Sequence, residues 1–189
     1  MKNIAIFASG AGSNANKIIE FFKHHESIQV VLVLCNNATA GVLDIAKAHQ
    51  IPTAICNKVT LQKEEEIMSI LYQCKIDFIV LAGFMVLIPA FLTEAFPDKI
   101  INIHPALLPR YGGKGLYGMH VHQAVFQNQE RESGISIHYV NEHYDEGNII
   151  FQEKVNIEHC KSADEIAAKV LECEHANFAK VIEKVVDRS

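Results

Sequence analysis

The chain has 189 residues, of which 49% are apolar, and it carries a formal net charge of −5. This length suits one domain with a sizeable core, so we expect a single domain over residues 1–189. The negative charge argues against nucleic acid as a partner, and no apolar run is long enough to span a membrane. No leader pattern precedes the first apolar run, so we expect a cytoplasmic protein with small-molecule partners, as a monomer or homodimer.

Strand and helix patterns alternate along most of the chain. They predict strand 3–8, helix 13–25, strand 29–35, helix 41–50, strand 52–56, helix 61–74, strand 77–82, helix 89–95 and strand 99–103. Two strands, 134–140 and 148–155, then flank a polar turn, and a helix follows over 162–186. This order predicts an α/β fold: a mostly parallel, Rossmann-like sheet with helices on both faces and an antiparallel C-terminal strand pair.

Five cysteines are scattered along the chain, at positions 35, 56, 74, 160 and 173. Their number is odd and no two form a C-x-x-C pair, which argues against a disulfide framework or a zinc site. We expect reduced, mostly buried thiols.

A glycine-rich turn joins the first strand to the first helix, with the sequence Ser9-Gly10-Ala11-Gly12-Ser13-Asn14-Ala15. Such a turn exposes backbone N–H groups at the positive end of a helix dipole, which suits phosphate. The spacing also meets the loose dinucleotide pattern G-x-G-x-x-A, but the second strand ends in Cys35-Asn36-Asn37 without the acidic residue that would hold a ribose. We favour a monophosphate, and we expect Ser13 to cap the helix.

The segment Asn102-Ile103-His104-Pro105-Ala106-Leu107-Leu108-Pro109 follows an apolar strand. An extended chain turns the Asn102 and His104 side chains to the same side, and the prolines exclude a helix. An amide that donates to an oxyanion beside an imidazole that moves a proton suits acyl transfer. A strand end whose polar residues cap a turn is the alternative.

The turn 141–147 lies between the two late strands and contains Asp145 and Gly147. A polar turn of this kind is often only a solvated connection. A carboxylate close to an imidazole favours the protonated ring, so Asp145 would raise the pKa of His104 if the fold brought the two together.

These segments together resemble the folate-dependent formyltransferases. The resemblance rests on NIHPALLPR, on SIHYV followed by D-x-G-x-I, and on SGAGSN, which is similar to the SGxGSN loop of the members that formylate glycinamide ribonucleotide. It covers essentially the whole chain and implies the formyltransferase fold. It also implies formyl transfer from 10-formyltetrahydrofolate, a cosubstrate, to the amine of glycinamide ribonucleotide in purine biosynthesis, without a metal.

The resemblance also implies roles for individual residues. The catalytic set would be Asn102, His104 and Asp145. The phosphoribosyl part of the amine substrate would be bound by Gly12, Ser13, Asn14 and Glu174. The folate pocket would be lined by Met85, Val86, Leu87 and Ile88, and the pteridine would be wrapped by Val140, Asn141, Glu142, His143 and Tyr144 together with Asp145.

Two segments depart from the pattern of this family. Val86 stands where GFMRIL of other members has arginine, so a folate tail would have to be held otherwise. The glycine-rich segment 111–119 is longer than expected and is interpreted either as a mobile flap or as a plain surface loop. His120 and His122 follow it; without a third ligand at suitable spacing we expect no metal there, although one of the two could line the site.

Three alternatives remain open at the level of sequence. Formyltransferases that act on methionyl-tRNA or a nucleotide sugar carry a further C-terminal domain, and formyltetrahydrofolate hydrolase carries an N-terminal one; we expect neither here. A noncatalytic nucleotide-binding module would keep the glycine turn but would have no reason to keep Asn102, His104 and Asp145 together.

Overall fold

The computed structural model describes residues 1–188, and its strands form one seven-stranded sheet in the order β3-β2-β1-β4-β5-β6-β7. The strands are β1 Lys2–Ala8, β2 Ile28–Cys35, β3 Thr53–Ile55, β4 Phe78–Leu81, β5 Ile100–His104, β6 Glu132–Tyr139 and β7 Ile149–Asn156. Strands β1 to β5 are parallel, whereas β6 runs antiparallel to both β5 and β7. The predicted α/β fold with its antiparallel C-terminal pair is therefore confirmed.

The described residues form six α-helices, of which the last follows the final strand: α1 Ser13–Phe22, α2 Val42–Ala48, α3 Glu64–Gln73, α4 Ala90–Ala95, α5 Met119–Gln127 and α6 Ala163–Val186. A short 3₁₀ helix, Thr60–Gln62, precedes α3. No helix among residues 1–188 combines the length and the apolar character needed to cross a membrane.

The sheet separates two apolar layers. Successive side chains of a strand point to opposite faces, so Ile4 and Ile6 of β1 join one layer and Ala5 and Phe7 join the other. The first layer is completed by α1, α2, α5 and α6, and the second by α3 and α4. Burial on both faces explains why the parallel strands are almost continuously apolar.

The helices of the structure differ from the predicted ones in two places. The predicted helix 61–74 is broken because Lys63 is extended, with φ −87° and ψ 92°, so the 3₁₀ turn and α3 are separate. Helix α5 was not predicted at all. Its buried face is only Val121, His122 and Val125, and such a short pattern directly after four glycines is weak.

All five cysteines are free thiols. Cys35 and Cys56 are buried, whereas Cys74, Cys160 and Cys173 are only half-buried, so the expectation of mostly buried thiols was wrong.

Candidate active site

The order of the strands creates a crevice at the carboxyl ends of β1 and β4. Chain connections leave β1 toward β2 on one side and reach β4 on the other, and ligands of open α/β sheets bind at such a switch point. Ser9 joins the two loops that border the crevice. Its N–H donates to the Gly83 carbonyl at 3.1 Å, and its hydroxyl accepts the Met85 N–H at 2.9 Å. The glycine loop and the predicted folate segment are thus one connected surface.

The glycine loop opens α1 without a side-chain cap. Gly12 occupies the N-cap position with φ 82°, and no side chain caps the helix. Ser13 is instead the first helical residue and is exposed, so the predicted Ser13 cap was wrong. The first-turn N–H groups are left for another acceptor, which is the property that an anion site requires.

Gly12 is required by packing as well as by its backbone angle. A methyl group at this position would lie 2.7 Å from Cβ and 2.8 Å from Cα of Val42, in α2. The neighbouring Gly10 is different, because a methyl group there would meet nothing within 4 Å.

We expect Gly12→Ala to lower the free energy of unfolding by about 2–4 kcal/mol. This is the sum of the cost of the overlap with Val42 and the cost of a left-handed backbone angle in alanine. Urea unfolding measures this change. Gly10→Ala is the matched control and should leave the stability unchanged or slightly raised. Equal stability of both variants would show that the contact with Val42 does not require glycine at position 12.

Asn14 and Glu174 meet beside this loop. The Asn14 Nδ2 group donates to Glu174 Oε2 at 2.6 Å, while Asn14 Oδ1 is buried without a partner. Burial raises the pKa of Glu174 to about 7, and the hydrogen bond from Asn14 opposes that rise only in part. A carboxyl group that is partly protonated near neutral pH repels a neighbouring phosphate less than a full carboxylate would.

The three predicted catalytic residues lie together at the edge of β5. Asp145 Oδ1 is 3.5 Å from His104 Nδ1 and 3.6 Å from His138 Nε2. His138 Nε2 in turn lies 3.1 Å from the Asn102 amide nitrogen. The set therefore contains a fourth residue, His138 of β6, to which the sequence patterns assigned no role. The available signal was a histidine next to the apolar Ile137 in a predicted strand.

The loop that leaves β5 is fixed by Ser136 of β6. The Ser136 hydroxyl donates to the Ala106 carbonyl at 2.6 Å and accepts the Leu108 N–H at 2.9 Å. These buried hydrogen bonds hold the Pro105–Pro109 segment against the sheet, which fixes the exit of the chain from His104.

The pKa of His104 lies below its ordinary value, contrary to the expectation from the sequence. Burial of the ring lowers this pKa most, and the Asp145 carboxylate and the Tyr111 carbonyl raise it without offsetting the burial. His104 Nε2 lies 2.7 Å from the Tyr111 carbonyl, which can only accept, so Nε2 carries the hydrogen. The neutral ring then has its free nitrogen, Nδ1, on the side of Asp145.

Asp145 itself remains a carboxylate. Burial raises its pKa, but the contact with His138, the charge of His104 and the Gly113 N–H, which donates to Oδ2 at 2.9 Å, together bring the pKa below its ordinary value. Asp145 also has a φ of 58°, a conformation uncommon for residues other than glycine.

We expect Asp145→Asn to lower the pKa of His104 further, because the amide removes the negative charge that opposes the effect of burial. The pH titration of the His104 ring in NMR spectra measures the shift, and Glu146→Gln, an exposed neighbour, serves as the control. An unchanged His104 titration in Asp145→Asn would contradict the electrostatic role of this carboxylate.

The predicted folate segment alternates between the crevice and the interior. Met85 and Leu87 are exposed, whereas Ile88 is buried and Val86 packs against the second apolar layer. Met85 and Leu87 therefore offer exposed apolar side chains, Val86 and Ile88 would contribute through their backbone, and folate binding by this segment stays a prediction.

The second predicted folate segment is an exposed turn that ends at Asp145. Val140 packs against the same layer as Val86 and donates its N–H to Ile100 at 2.9 Å. Asn141 accepts the His143 N–H at 2.9 Å, which shapes the turn. Glu142, His143 and Tyr144 are exposed. The turn needs glycine at Gly147, because a methyl group there would lie 1.7 Å from the Tyr139 carbonyl oxygen.

The two histidines of α5 differ in environment. His122 is buried, its Nδ1 has no partner, and burial together with the charge of His104 lowers its pKa to about 4. His120 is exposed and stacks on Tyr117 at 5.2 Å. Among residues 1–188 no group of three or more His, Cys, Asp or Glu is placed to hold a metal ion.

Fold and site together define a class of protein. Residues 2–182 match the family described as formyl transferase, and the chain belongs to this family. Its relatives carry a more specific name. A protein from Arabidopsis thaliana named chloroplastic phosphoribosylglycinamide formyltransferase is 40% identical over 187 residues, which are 96% of this chain. A Bacillus subtilis phosphoribosylglycinamide formyltransferase is 32% identical over 98% of this chain.

The coverage of these relatives differs. The chain spans 64% of the Arabidopsis thaliana protein and 61% of the Vigna unguiculata one, but 95% of the Bacillus subtilis protein. The crystal structure of phosphoribosylglycinamide formyltransferase from Bacillus halodurans is similar, with a TM-score of 0.89 and 34% identity over 98% of this chain and 95% of that one. The fold is thus that of this group over nearly its full length.

Proposed function

We propose that this protein transfers the formyl group of 10-formyltetrahydrofolate to the amine of glycinamide ribonucleotide, a step of purine biosynthesis. The observation that carries the proposal is the position of Asn102, His104 and Asp145, which lie with His138 in one cluster of polar contacts in a formyl transferase fold. The names of the relatives support this choice of amine substrate. All five free thiols fit a reducing compartment such as the cytoplasm.

The amine substrate would be held by its phosphate and its ribose. The uncapped first turn of α1, from Gly12 through Ser13 to Asn14, offers N–H donors to a phosphate. Glu174, beside Asn14, would accept a hydrogen bond from a ribose hydroxyl. The unpartnered Asn14 Oδ1 is a further acceptor at this position.

The folate donor would lie along the other border of the crevice. Met85 and Leu87 present exposed apolar side chains, and the backbone of 85–88 and of 140–144 would contact the pteridine. Val86 and Ile88 support this border from the interior. The folate is consumed in the reaction and is therefore a cosubstrate.

The reaction would begin with attack of the neutral amine on the formyl carbon. The carbonyl oxygen then becomes an oxyanion, which the Asn102 amide meets with a hydrogen bond. Asn102 Nδ2 has two hydrogens: one points to His138 Nε2 at 3.1 Å, and the other is available for the oxyanion. His138 thus orients Asn102, and its Nδ1 is itself held by the Tyr139 carbonyl at 2.8 Å.

His104 would move the proton. The neutral ring accepts at Nδ1 the proton that the amine loses, and Asp145 stabilises the resulting imidazolium. The departing folate nitrogen takes up a proton as its bond to the formyl carbon breaks, which restores the neutral ring. A lowered His104 pKa suits this role, since an already protonated ring could not accept a proton.

The test is a transfer assay with labelled 10-formyltetrahydrofolate and three competing acceptors: glycinamide ribonucleotide, methionyl-tRNA and water. We expect label in formylglycinamide ribonucleotide alone. Label in methionyl-tRNA or free formate would assign the chain to another activity. Saturable binding of NAD with no response to glycinamide ribonucleotide would instead favour the nucleotide-binding module.

A further inference from the structure

The loop after β5 contacts both ends of the His104–Asp145 pair. The Tyr111 carbonyl accepts the Nε2–H of His104 at 2.7 Å, and two residues later the Gly113 N–H donates to Asp145 Oδ2 at 2.9 Å. One short segment of backbone therefore sets the positions of the imidazole and of the carboxylate. Gly112 lies between them, and a methyl group there would be 3.2 Å from Asp145 Cβ, so the segment is closely packed against this residue.

The side chain of Tyr111 fixes this segment to the end of α5. Its hydroxyl donates to Glu130 Oε1 at 2.7 Å and accepts from Asn128 Nδ2 at 2.9 Å. Arg110 binds the same Glu130 oxygen. We call Tyr111, Asn128 and Glu130 the Tyr111 anchor.

Tyr111 needs such an anchor because its backbone is unusual. Its φ is 60°, a left-handed conformation that residues other than glycine adopt only when the surroundings hold them there. This conformation turns the carbonyl toward His104. The ring is partly buried and packs against the first apolar layer, so packing and the two hydroxyl hydrogen bonds act together.

We propose that Tyr111 is a positioning residue: the Tyr111 anchor holds the carbonyl that fixes the hydrogen of His104 on Nε2 and leaves Nδ1 free to accept a proton. Because the carbonyl can only accept, the other tautomer, with its hydrogen on Nδ1, would lose this hydrogen bond. The inference rests on the proposed function only for its effect on turnover. The tautomer is a property of the free protein.

Tyr111→Phe tests the proposal, since it keeps the ring and removes both hydroxyl hydrogen bonds. We expect kcat to fall about ten- to a hundredfold, by analogy with the loss of partners that orient metal-bound histidines. The KM values of both substrates should stay within a factor of about two, since the anchor lies outside the predicted binding residues. In ¹⁵N NMR spectra the wild type should show a protonated Nε2 in His104, and the variant a mixture of both tautomers.

Matched variants separate the anchor from a general effect on folding. Glu130→Gln keeps an oxygen that accepts the Tyr111 hydroxyl hydrogen, so this variant should retain nearly wild-type kcat. Glu130→Ala removes that oxygen and should resemble Tyr111→Phe. Tyr72→Phe, on an exposed tyrosine of α3, should change nothing. A wild-type tautomer and kcat in Tyr111→Phe would overturn the proposal, as would a wild-type His104 with its hydrogen on Nδ1. If Tyr111→Phe shifts the tautomer but the wild-type protein transfers no formyl group, the role of the anchor is supported and the proposed function is refuted.

Discussion

Replacement of His104 by alanine is expected to lower kcat for formyl transfer by about two to four orders of magnitude, since general base catalysis contributes this much. His104 Nε2 already donates to the Tyr111 carbonyl, so its free Nδ1, 3.5 Å from Asp145 Oδ1, can accept the proton of the amine. The other unprotonated ring nitrogen of the cluster, His138 Nε2, already accepts a hydrogen bond from the Asn102 amide. Steady-state kinetics with both substrates measures the effect.

The substrates of the His104→Ala enzyme should bind almost normally, because the glycine loop and the predicted folate segment do not depend on the ring. The matched control is His24→Ala, an exposed histidine far along the chain from the crevice, which should retain wild-type kcat. Near-normal turnover in His104→Ala would refute the assignment of this residue as the base.

Replacement of Asn102 by alanine is expected to lower kcat by about two to three orders of magnitude, the usual loss when one oxyanion donor is removed. The variant also removes the group that meets His138 Nε2 at 3.1 Å. A lowered kcat with an unchanged KM would show that the lost interaction is made in the transition state.

Asn102→Asp shows whether the loss comes from the missing hydrogen-bond donor or from the smaller side chain of alanine. The carboxylate has nearly the shape of the amide but repels an oxyanion and cannot donate to it, so this variant should be at least as impaired as the alanine one. An Asn102→Asp enzyme with substantial activity would show that no oxyanion is stabilised at this position.

The fold was predictable because its strongest signals are local and repeated. Continuous apolar strands alternating with amphipathic helices specify a parallel sheet covered on both faces, and most element ends agreed within a few residues. Helix α5 escaped because its buried face has only three residues, and the break at Lys63 escaped because no glycine or proline marks it.

The site was predictable only in part, for a physical reason. Asn102 and His104 are two residues apart on one strand, so local geometry places them on one side. His138, Ser9 and Tyr111 act through contacts between distant segments: His138 meets Asn102 across a strand pair, and Tyr111 contributes a backbone carbonyl whose direction no side-chain pattern reveals. The sign of the His104 pKa shift was wrong because burial outweighs the Asp145 charge, and burial is a property of the folded chain.

A crystal structure with glycinamide ribonucleotide and a non-transferable analogue of 10-formyltetrahydrofolate tests the central claim most directly. We expect the phosphate on the N–H groups of the first turn of α1, the pteridine between segments 85–88 and 140–144, and the amine nitrogen beside the formyl carbon at Asn102 and His104. A phosphate bound elsewhere, or a folate bound away from the His104–Asp145 pair, would contradict the claim that these residues form one formyl-transfer site.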